Sequence, residues 1–172
     1  MTELIYGGSA SGKSEYAESL LADVTEGKYY IATMRPFGEE GVRRIERHRI
    51  LRSGKGFETI ECQRNLQNLR FKQRANGVLI ECISNLLANE MFGEEELTDE
   101  EIISKITRGC LEISRQADKL VIVSNNVSED GIKYSSETER YIRLLEDINI
   151  KLGDMADKVT EVVVGIAITV KE

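Results

Sequence analysis

The 172-residue chain lacks three features, each of which would indicate a different class of protein. It contains no run of about 18 apolar residues, so no membrane span is expected. Its N-terminus enters a strand-like segment without a signal-peptide pattern, which favours a cytoplasmic protein. It has a single His, and Cys62, Cys82 and Cys110 are far apart with no C-x-x-C pair. This disfavours a zinc site and indicates reduced core thiols.

Positive charge is also scarce, because the formal net charge is −7. A nucleic-acid partner is therefore not expected, since a phosphate backbone demands a basic surface. The segment from Arg43 to Lys55 is the exception, with six cations and one Glu, while the rest of the chain carries −12. Such a patch suits a small anionic ligand, although it also fits a solvated helix face.

Five apolar segments are predicted as strands, and most are continuous rather than alternating. Continuous runs are typical of strands covered on both faces of a parallel sheet. They alternate with helical segments, which predicts right-handed βαβ units in one three-layer α/β domain, residues 1–172, with a mostly parallel central sheet. The predicted strands are ELIYG, KYYIAT, GVLIECIS, KLVIVSN and EVVVGIAITVK, the last of them buried.

The predicted helices differ in how clearly their ends are marked. In one of them Thr98 and Glu101 form a capping box, followed by apolar residues expected to be buried at 102, 103, 106 and 113. The other helices are expected over residues 13–22, 39–52, 84–92 and 136–155.

The segment LIYGGSASGKSEYAE contains the pattern G-x-x-x-x-G-K-[ST], placed between a strand and a helix. In such a P-loop, main-chain N–H groups and the helix N-terminus surround phosphate oxygens, the Lys reaches the β and γ phosphates, and the Ser hydroxyl ligates Mg²⁺. The alternative is a chance glycine-rich turn. The pattern predicts a P-loop NTPase-like fold and a phosphate site made of Gly7, Gly8, Ser9, Ala10, Ser11, Gly12, Lys13 and Ser14.

Polar residues at strand ends are further candidates, because ligands of open α/β folds bind at the carboxyl edge of the sheet. Glu81 ends a central strand and is a candidate to hold the metal together with Ser14, although it is also compatible with no role. Thr33, Asn125 and Asn126 lie at comparable positions, but Asn is common at strand ends for turn reasons.

The single histidine lies in RRIERHRILR. If this segment is helical, Arg44, His48 and Arg52 fall on one stripe. A neutral imidazole has a lone pair that can attack phosphorus, and the arginines would neutralise phosphate charge. Arg52 is expected to be an exposed cation that contributes little to stability. The alternative is that His48 is an incidental surface residue.

The chain resembles the bifunctional adenosylcobinamide kinase / adenosylcobinamide-phosphate guanylyltransferase family of cobalamin biosynthesis. The resemblance runs in order through most of the chain. It is carried by GGSASGKSEYAE, YIATMR, RIERHR, ETIECQRNL, VLIECISNLLANEMF, VIVSNNV and ADKVTEVVVGIAITVK.

The resemblance implies two reactions. One passes the γ-phosphate of ATP or GTP to the hydroxyl of the aminopropanol arm of a corrinoid. In the other, His48 takes GMP from GTP covalently and hands it to the phosphorylated corrinoid. The resemblance also implies Mg²⁺, a homotrimer, and nucleotide contacts from Thr33, Met34, Arg35, Arg49, Ile50, Leu51, Arg52, Glu61 and Glu81.

The chain departs from the family pattern after its fourth predicted strand. It has NNVSEDGIKYSSE where the family has an NEVG-type segment and a Gly-Pro loop. In the next helix Asn149 remains from the family's Arg-Asp and Asn-Gln pairs, whose other places hold Ile142, Arg143 and Ile150. A divergent P-loop kinase, or a nucleotide-binding module without transferase chemistry, is the alternative.

Overall fold

The computed structural model describes residues 1–126 and 134–172, apart from the side chain of Leu51. Most of the divergent segment after the fourth predicted strand therefore lies outside the described residues. Within them, seven strands form one sheet in the order β3-β2-β4-β5-β1-β6-β7. The elements are β1 (Thr2–Tyr6), α1 (Lys13–Ser19), β2 (Lys28–Ala32), α2 (Gly38–Arg52), β3 (Glu58–Glu61), β4 (Ala75–Glu81), α3 (Ile83–Met91), α4 (Asp99–Gln116), β5 (Ala117–Val123), α5 (Ser136–Met155), β6 (Lys158–Val163) and β7 (Ile166–Lys171).

The sheet is parallel from β3 to β6, and only β7 runs antiparallel, against β6. This confirms the predicted α/β fold with a mostly parallel sheet. In a parallel sheet the carboxyl ends of all strands lie at one edge. The segments that follow β1, β2, β3, β4 and β5 therefore converge there, although they are far apart in sequence.

Both faces of the sheet are covered, which explains the continuous apolar runs. Val78 and Ile80 of β4 belong to the core packed under α3, α4 and α5. Leu79, between them, belongs to the core on the opposite face, under Ala17 and Leu21 of the α1 region. Because successive strand residues alternate between faces, a strand covered twice must be apolar at every position.

The helix α4 begins with the predicted capping box. The Thr98 hydroxyl accepts a hydrogen bond from the Glu101 amide at 3.2 Å, and the Glu101 carboxylate accepts one from the Thr98 amide at 2.8 Å. Of the four apolar residues expected to be buried, those at 102, 106 and 113 are buried, whereas Ile103 is partly exposed at the border of the core.

The prediction of a single buried C-terminal strand is wrong. The segment forms a hairpin, in which Val164 and Gly165 make a two-residue turn with positive φ of 44° and 83°. Such a turn matches the twist of two antiparallel strands. Every residue of β7 is exposed, including Ile166, Ile168 and Val170. The sequence does not predict this turn, because Val, which occupies its first position, rarely adopts a positive φ.

The strand β3 was not predicted. It is a short edge strand of sequence ETIE, paired only with β2 and mostly exposed. Its two β-branched residues, Thr59 and Ile60, lie between two Glu residues, which gives only a weak strand signal over four positions. Its position matters because Glu61 ends it at the same sheet edge as Glu81.

Two further expectations concern thiols and membranes. The three cysteines are free, but only Cys110 is fully buried, and Cys62 and Cys82 are partly exposed, so the expectation that all three are core residues is wrong for two of them.

Across residues 1–126 and 134–172, no helix combines the length and apolar character that crossing a membrane requires.

The capping box yields a stability prediction. Thr98→Ala removes the side-chain acceptor of the Glu101 amide and should lower the free energy of unfolding by about 1 kcal/mol. Thermal denaturation should show this as a loss of about 3 °C in Tm. The matched control is Glu101→Gln, which keeps an acceptor for the Thr98 amide and should leave Tm nearly unchanged. Equal Tm values for Thr98→Ala and the wild-type protein would contradict the assignment.

Candidate active site

The loop between β1 and α1 is shaped by two glycines that other residues cannot replace without strain. A Cβ atom on Gly7 would lie 2.4 Å from the backbone oxygen of Val162, far inside van der Waals contact. Gly12 has φ of 90°, a left-handed conformation that favours glycine, and it immediately precedes α1. The first glycine lets the loop lie against β6, and the second turns the chain into the helix.

Neighbouring segments hold this loop in place through its main chain. The Gly165 amide at the tip of the C-terminal hairpin donates to the Ser11 carbonyl at 2.8 Å. The Asn126 amide, after β5, donates to the Gly7 carbonyl at 3.0 Å. The Ser11 hydroxyl is buried and has no hydrogen-bond partner among the described residues. The loop is thus fixed from both sides, while Gly8, Ser9 and Ala10 are exposed.

Lys13 closes the loop from within. Its side chain is nearly buried, and Nζ donates to the Gly8 carbonyl at 2.7 Å. Burial lowers the pKa of Lys13 because it disfavours the charged amine. Arg44 lowers this pKa further, and electrostatic interactions with Cys82 and Glu81 oppose both effects. A carbonyl is a weak partner for an ammonium ion compared with a phosphate oxygen.

The Glu81 carboxylate, at the end of β4, joins two other elements. One of its oxygens accepts a hydrogen bond from the Ser14 hydroxyl in the first turn of α1. The other accepts from the Tyr30 hydroxyl of β2 at 2.6 Å. Burial, followed by the charge of Glu81, raises the pKa of Tyr30, so the phenol remains a donor. The two predicted metal ligands, Ser14 and Glu81, therefore lie in direct contact.

Arg52, the last residue of α2, contacts the face of the Tyr30 ring. Its guanidinium carbon lies 3.5 Å from the ring centroid. Only 6% of Arg52 is exposed, so the expectation of an exposed cation is wrong. Its Nε atom is buried and has no hydrogen-bond partner within the described part of the chain. The residue was misjudged because its burial depends on a tyrosine 22 positions earlier in the chain.

One cavity of about 300 Å³ brings the sequence-predicted groups together. The stripe of α2 that carries Arg44, His48 and Arg52 lines it, as do Lys13 and Ser14. The full lining consists of Ser9, Ala10, Lys13, Ser14, Tyr30, Ala32, Met34, Arg44, Ile45, His48, Arg52, Glu61, Glu81, Cys82, Asn85, Val123 and Asn125. The single imidazole of the chain thus faces the same space as the loop lysine.

A second hollow of about 700 Å³ lies along another face of α2. Arg49 and Ile50 line it rather than the first cavity, and Arg49 forms an ion pair with Glu61 at 2.7 Å. Glu61 lines both hollows. The side chain of Leu51, which the resemblance also assigns to nucleotide binding, lies outside the described residues.

Six predicted site residues with described side chains lie outside both cavity linings, namely Gly7, Gly8, Ser11 and Gly12 of the loop, Thr33 and Arg35. Thr33 is completely buried, and its hydroxyl donates to the Cys82 carbonyl at 2.8 Å while accepting from the Cys82 amide at 2.7 Å. It therefore supports the segment after Glu81 instead of presenting a free hydroxyl. Arg35 is exposed beyond Met34. In the structure, Met34 is the one residue of this segment whose side chain reaches the cavity wall.

Hydrogen bonds connect Asn125, which lines the cavity, to Asn149 of α5 and to Ser84 of α3. The Asn149 side chain accepts from Ser124 at 2.6 Å and donates to the Asn125 carbonyl at 3.1 Å. The Asn125 side chain donates to Ser84 at 2.6 Å, beside the Cys82 thiol, whose pKa burial raises. Asn149 was noted in the sequence only through the resemblance, and its contacts show that it links α5 to the end of β5.

These features define a class of protein. A glycine-rich loop between a strand and a helix, a buried lysine in the loop, and a Ser–carboxylate pair at the carboxyl edge of a parallel sheet are those of a P-loop nucleotide-binding α/β protein. The chain belongs to the family described as "Cobinamide kinase / cobinamide phosphate guanyltransferase", which matches residues 3–170.

Relatives in this family match the chain end to end. The bifunctional adenosylcobalamin biosynthesis protein CobU of Salmonella typhimurium is 33% identical over 188 residues, covering 99% of this chain and 100% of that protein. The protein of the same name from Escherichia coli is 30% identical over 184 residues, with coverage of 99% and 100%.

Solved structures agree on the fold. The flagellar accessory protein FlaH from Methanocaldococcus jannaschii superimposes with a TM-score of 0.52 at 14% identity, covering 99% of this chain and 77% of that one. An ATPase from the type III secretion system of pathogenic bacteria gives a TM-score of 0.55 at 11% identity, with coverage of 98% and 56%. At these identities the likeness shows the fold alone.

The close approach at Gly7 yields a prediction. Gly7→Ala should destabilise the protein by about 2 kcal/mol, because the new Cβ would overlap the Val162 oxygen. The matched control is Gly8→Ala, whose Cβ would meet nothing within 4 Å. Chemical denaturation without nucleotide measures both variants, and the assignment fails if they unfold at the same denaturant concentration.

Proposed function

We propose that the whole chain is one nucleotide-binding domain that phosphorylates adenosylcobinamide and then transfers GMP from GTP to adenosylcobinamide phosphate through a covalent guanylyl-His48 intermediate. The observation that carries the proposal is that His48 and Lys13 line the same cavity. The names of the full-length relatives support the two activities. The covalent role of His48 rests on this placement and on the chemistry of imidazole.

The nucleotide phosphates fit the loop between Gly7 and Ser14. The exposed main chain from Gly8 to Ala10 offers N–H donors, and Lys13 would exchange the Gly8 carbonyl for a phosphate oxygen. Arg44 and Arg52 line the same cavity and add positive charge to it. A triphosphate bound there would meet cations from both the loop and α2, in the cavity that His48 also lines.

The Ser14–Glu81 contact suits a magnesium ion. Both groups supply the oxygen ligands that Mg²⁺ prefers, and Mg²⁺ is usually held by one or two protein groups together with phosphates and water. When bound, the ion would neutralise phosphate charge. The ATP or GTP used in the kinase step would then be oriented by the protein loop and by the Ser14 and Glu81 side chains.

In the transfer step an imidazole nitrogen of His48 forms a bond to the α-phosphorus of GTP, and the bond from that phosphorus to the bridging oxygen breaks, releasing pyrophosphate. A phosphate oxygen of adenosylcobinamide phosphate then attacks the same phosphorus. The P–N bond breaks, and its electron pair returns to the imidazole. Dividing one displacement into two is the gain of covalent catalysis. In the kinase step, the corrinoid hydroxyl oxygen forms a bond to the γ-phosphorus, and the bond from that phosphorus to the β,γ-bridging oxygen breaks. ADP or GDP leaves, and the hydroxyl proton passes to solvent.

We assign the base of the nucleotide to the second hollow, which lies along another face of α2. It adjoins the phosphate cavity through Glu61, which lines both hollows. A carboxylate accepts hydrogen bonds, and guanine offers the N1–H and the N2 amino group as donors. This arrangement supports a preference for GTP in the transfer step.

Incubation with α-labelled GTP tests the proposal. The wild-type protein should retain an acid-labile, alkali-stable label after denaturation, because a P–N bond to histidine has that stability. His48→Ala should lose at least 99% of the label. Arg47→Ala, at an exposed residue of the same helix, is the matched control and should keep it.

The outcome separates the candidate functions. Absence of label with intact γ-phosphate transfer would identify a P-loop kinase in which His48 has no covalent role. Absence of both label and transfer would leave a nucleotide-binding module. Lys13→Ala should stop both reactions, because the cradle would lose its phosphate contact.

We also propose that the chain assembles as a homotrimer through the outer side of β7. Ile166, Ile168 and Val170 are 62%, 47% and 57% exposed and alternate along one face of an unpaired edge strand. Such edges invite pairing with another chain.

The free thiols of Cys62, Cys82 and Cys110 support a reducing setting, which we take to be the cytoplasm.

Disruption of this surface should change the mass in solution. Ile168→Lys places a charge in the apolar stripe and should convert a trimer into a monomer, measured by light scattering after size exclusion. Leu111→Lys is the matched control, since Leu111 is 38% exposed on α4, a helix that packs on α3, α5 and β5. A wild-type protein that elutes as a monomer would refute the assembly.

A further inference from the structure

Tyr30 joins four elements that the proposed reactions need to hold together. It lies on β2, its hydroxyl contacts Glu81 of β4, and its ring contacts Arg52 at the end of α2. Through Glu81 it reaches Ser14 of α1. Tyr30 itself is almost completely buried, with 3% of its surface exposed, and it forms part of the cavity wall.

The hydroxyl of Tyr30 holds the carboxylate of Glu81 in one orientation. Glu81 has two oxygens, and in the structure Ser14 donates to one while Tyr30 donates to the other at 2.6 Å. A carboxylate held by one donor rotates more freely about its terminal torsion than one held by two. The phenol therefore sets the direction in which Glu81 faces Ser14, where the metal would be held.

The aromatic ring of Tyr30 holds the guanidinium group of Arg52 in place. The guanidinium carbon of Arg52 lies over the Tyr30 ring, 3.5 Å from its centroid, and Phe57 contacts the same ring edge-on at 6.0 Å. A guanidinium that stacks on a ring keeps its N–H groups free for an anion. Arg52 lines the cavity, and its buried Nε has no hydrogen-bond partner among the described residues.

We propose that Tyr30 is a positioning residue with two separable roles: its hydroxyl orients Glu81 for the metal, and its ring orients Arg52 for the phosphates. This rests on the proposed nucleotide site. The competing interpretation is that Tyr30 is a core aromatic residue whose polar end is merely satisfied. The two differ in what they predict for nucleotide binding with and without Mg²⁺.

Three variants separate the roles. Tyr30→Phe removes the hydroxyl and keeps the ring. Arg52→Lys keeps the charge and loses the planar stack, without altering the strand. Tyr29→Phe is the matched control, because Tyr29 lies on the same strand but packs on Phe71 and on the core of the opposite sheet face.

The experiment measures binding of a fluorescent GTP analogue to the full chain, first in EDTA and then across a Mg²⁺ titration. For Tyr30→Phe we expect the Mg²⁺ concentration at half-maximal effect to rise about tenfold, with metal-free affinity within about twofold of wild type. For Arg52→Lys we expect metal-free affinity to fall about fivefold, with an unchanged Mg²⁺ midpoint. Tyr29→Phe should match the wild-type protein in both.

A double variant tests whether Tyr30 acts through Glu81. Glu81→Gln should raise the Mg²⁺ midpoint by itself, and adding Tyr30→Phe should raise it little further. Additive effects of the two substitutions would overturn the positioning role.

Other outcomes are also decisive. If the wild-type protein binds the analogue with a clear Mg²⁺ effect and Tyr30→Phe behaves identically, the inference about Tyr30 is wrong and the proposed function stands. If the wild-type protein binds no nucleotide, both are wrong. Equal losses with and without Mg²⁺, accompanied by a lower Tm, would identify Tyr30 as a structural residue only.

Discussion

The carboxylate of Glu81 is the interaction on which the site depends. It accepts hydrogen bonds from Ser14 and from Tyr30, and so connects the helix after the phosphate loop to a neighbouring strand. Losing either donor would leave a half-buried carboxylate oxygen without its hydrogen-bond partner, at a cost of about 1–3 kcal/mol. The loop, the Ser14–Glu81 pair and the wall that contains Tyr30 and Arg52 are consequently linked through this one carboxylate.

The helix α2 is attached to this unit mainly near its C-terminal end. Arg52 stacks on Tyr30, Arg49 pairs with Glu61, and Lys55, just beyond the helix, pairs with Glu18. Most other side chains of α2 are exposed. The histidine is thus presented on a helix whose one stripe faces the phosphate loop, while the rest meets solvent or the second hollow. Its cationic composition follows from that position, because exposed charges cost little.

The C-terminal hairpin has a double relation to the loop. Its inner strand, β6, lies against Gly7, and its turn donates a hydrogen bond to Ser11. Its outer strand presents an apolar stripe to the surroundings. Any partner that covers β7 therefore touches an element that also holds the phosphate loop. The apolar run at the C-terminus predicted a single buried strand. The chain instead turns back at Val164 and Gly165, and the second half of the run, β7, is exposed.

The sequence by itself determined the alternation of strands and helices, the phosphate loop, the capping box of α4 and the stripe of Arg44, His48 and Arg52, because each depends on residues close together in the chain. Only the tertiary structure decided that Tyr30 meets Glu81. That contact follows from the register of β2 against β4, where Ala32 pairs with Glu81 and Tyr30 is its diagonal neighbour. The burial of Arg52 and the exposure of β7 were likewise decided there, because strand order and long-range packing leave no local signal.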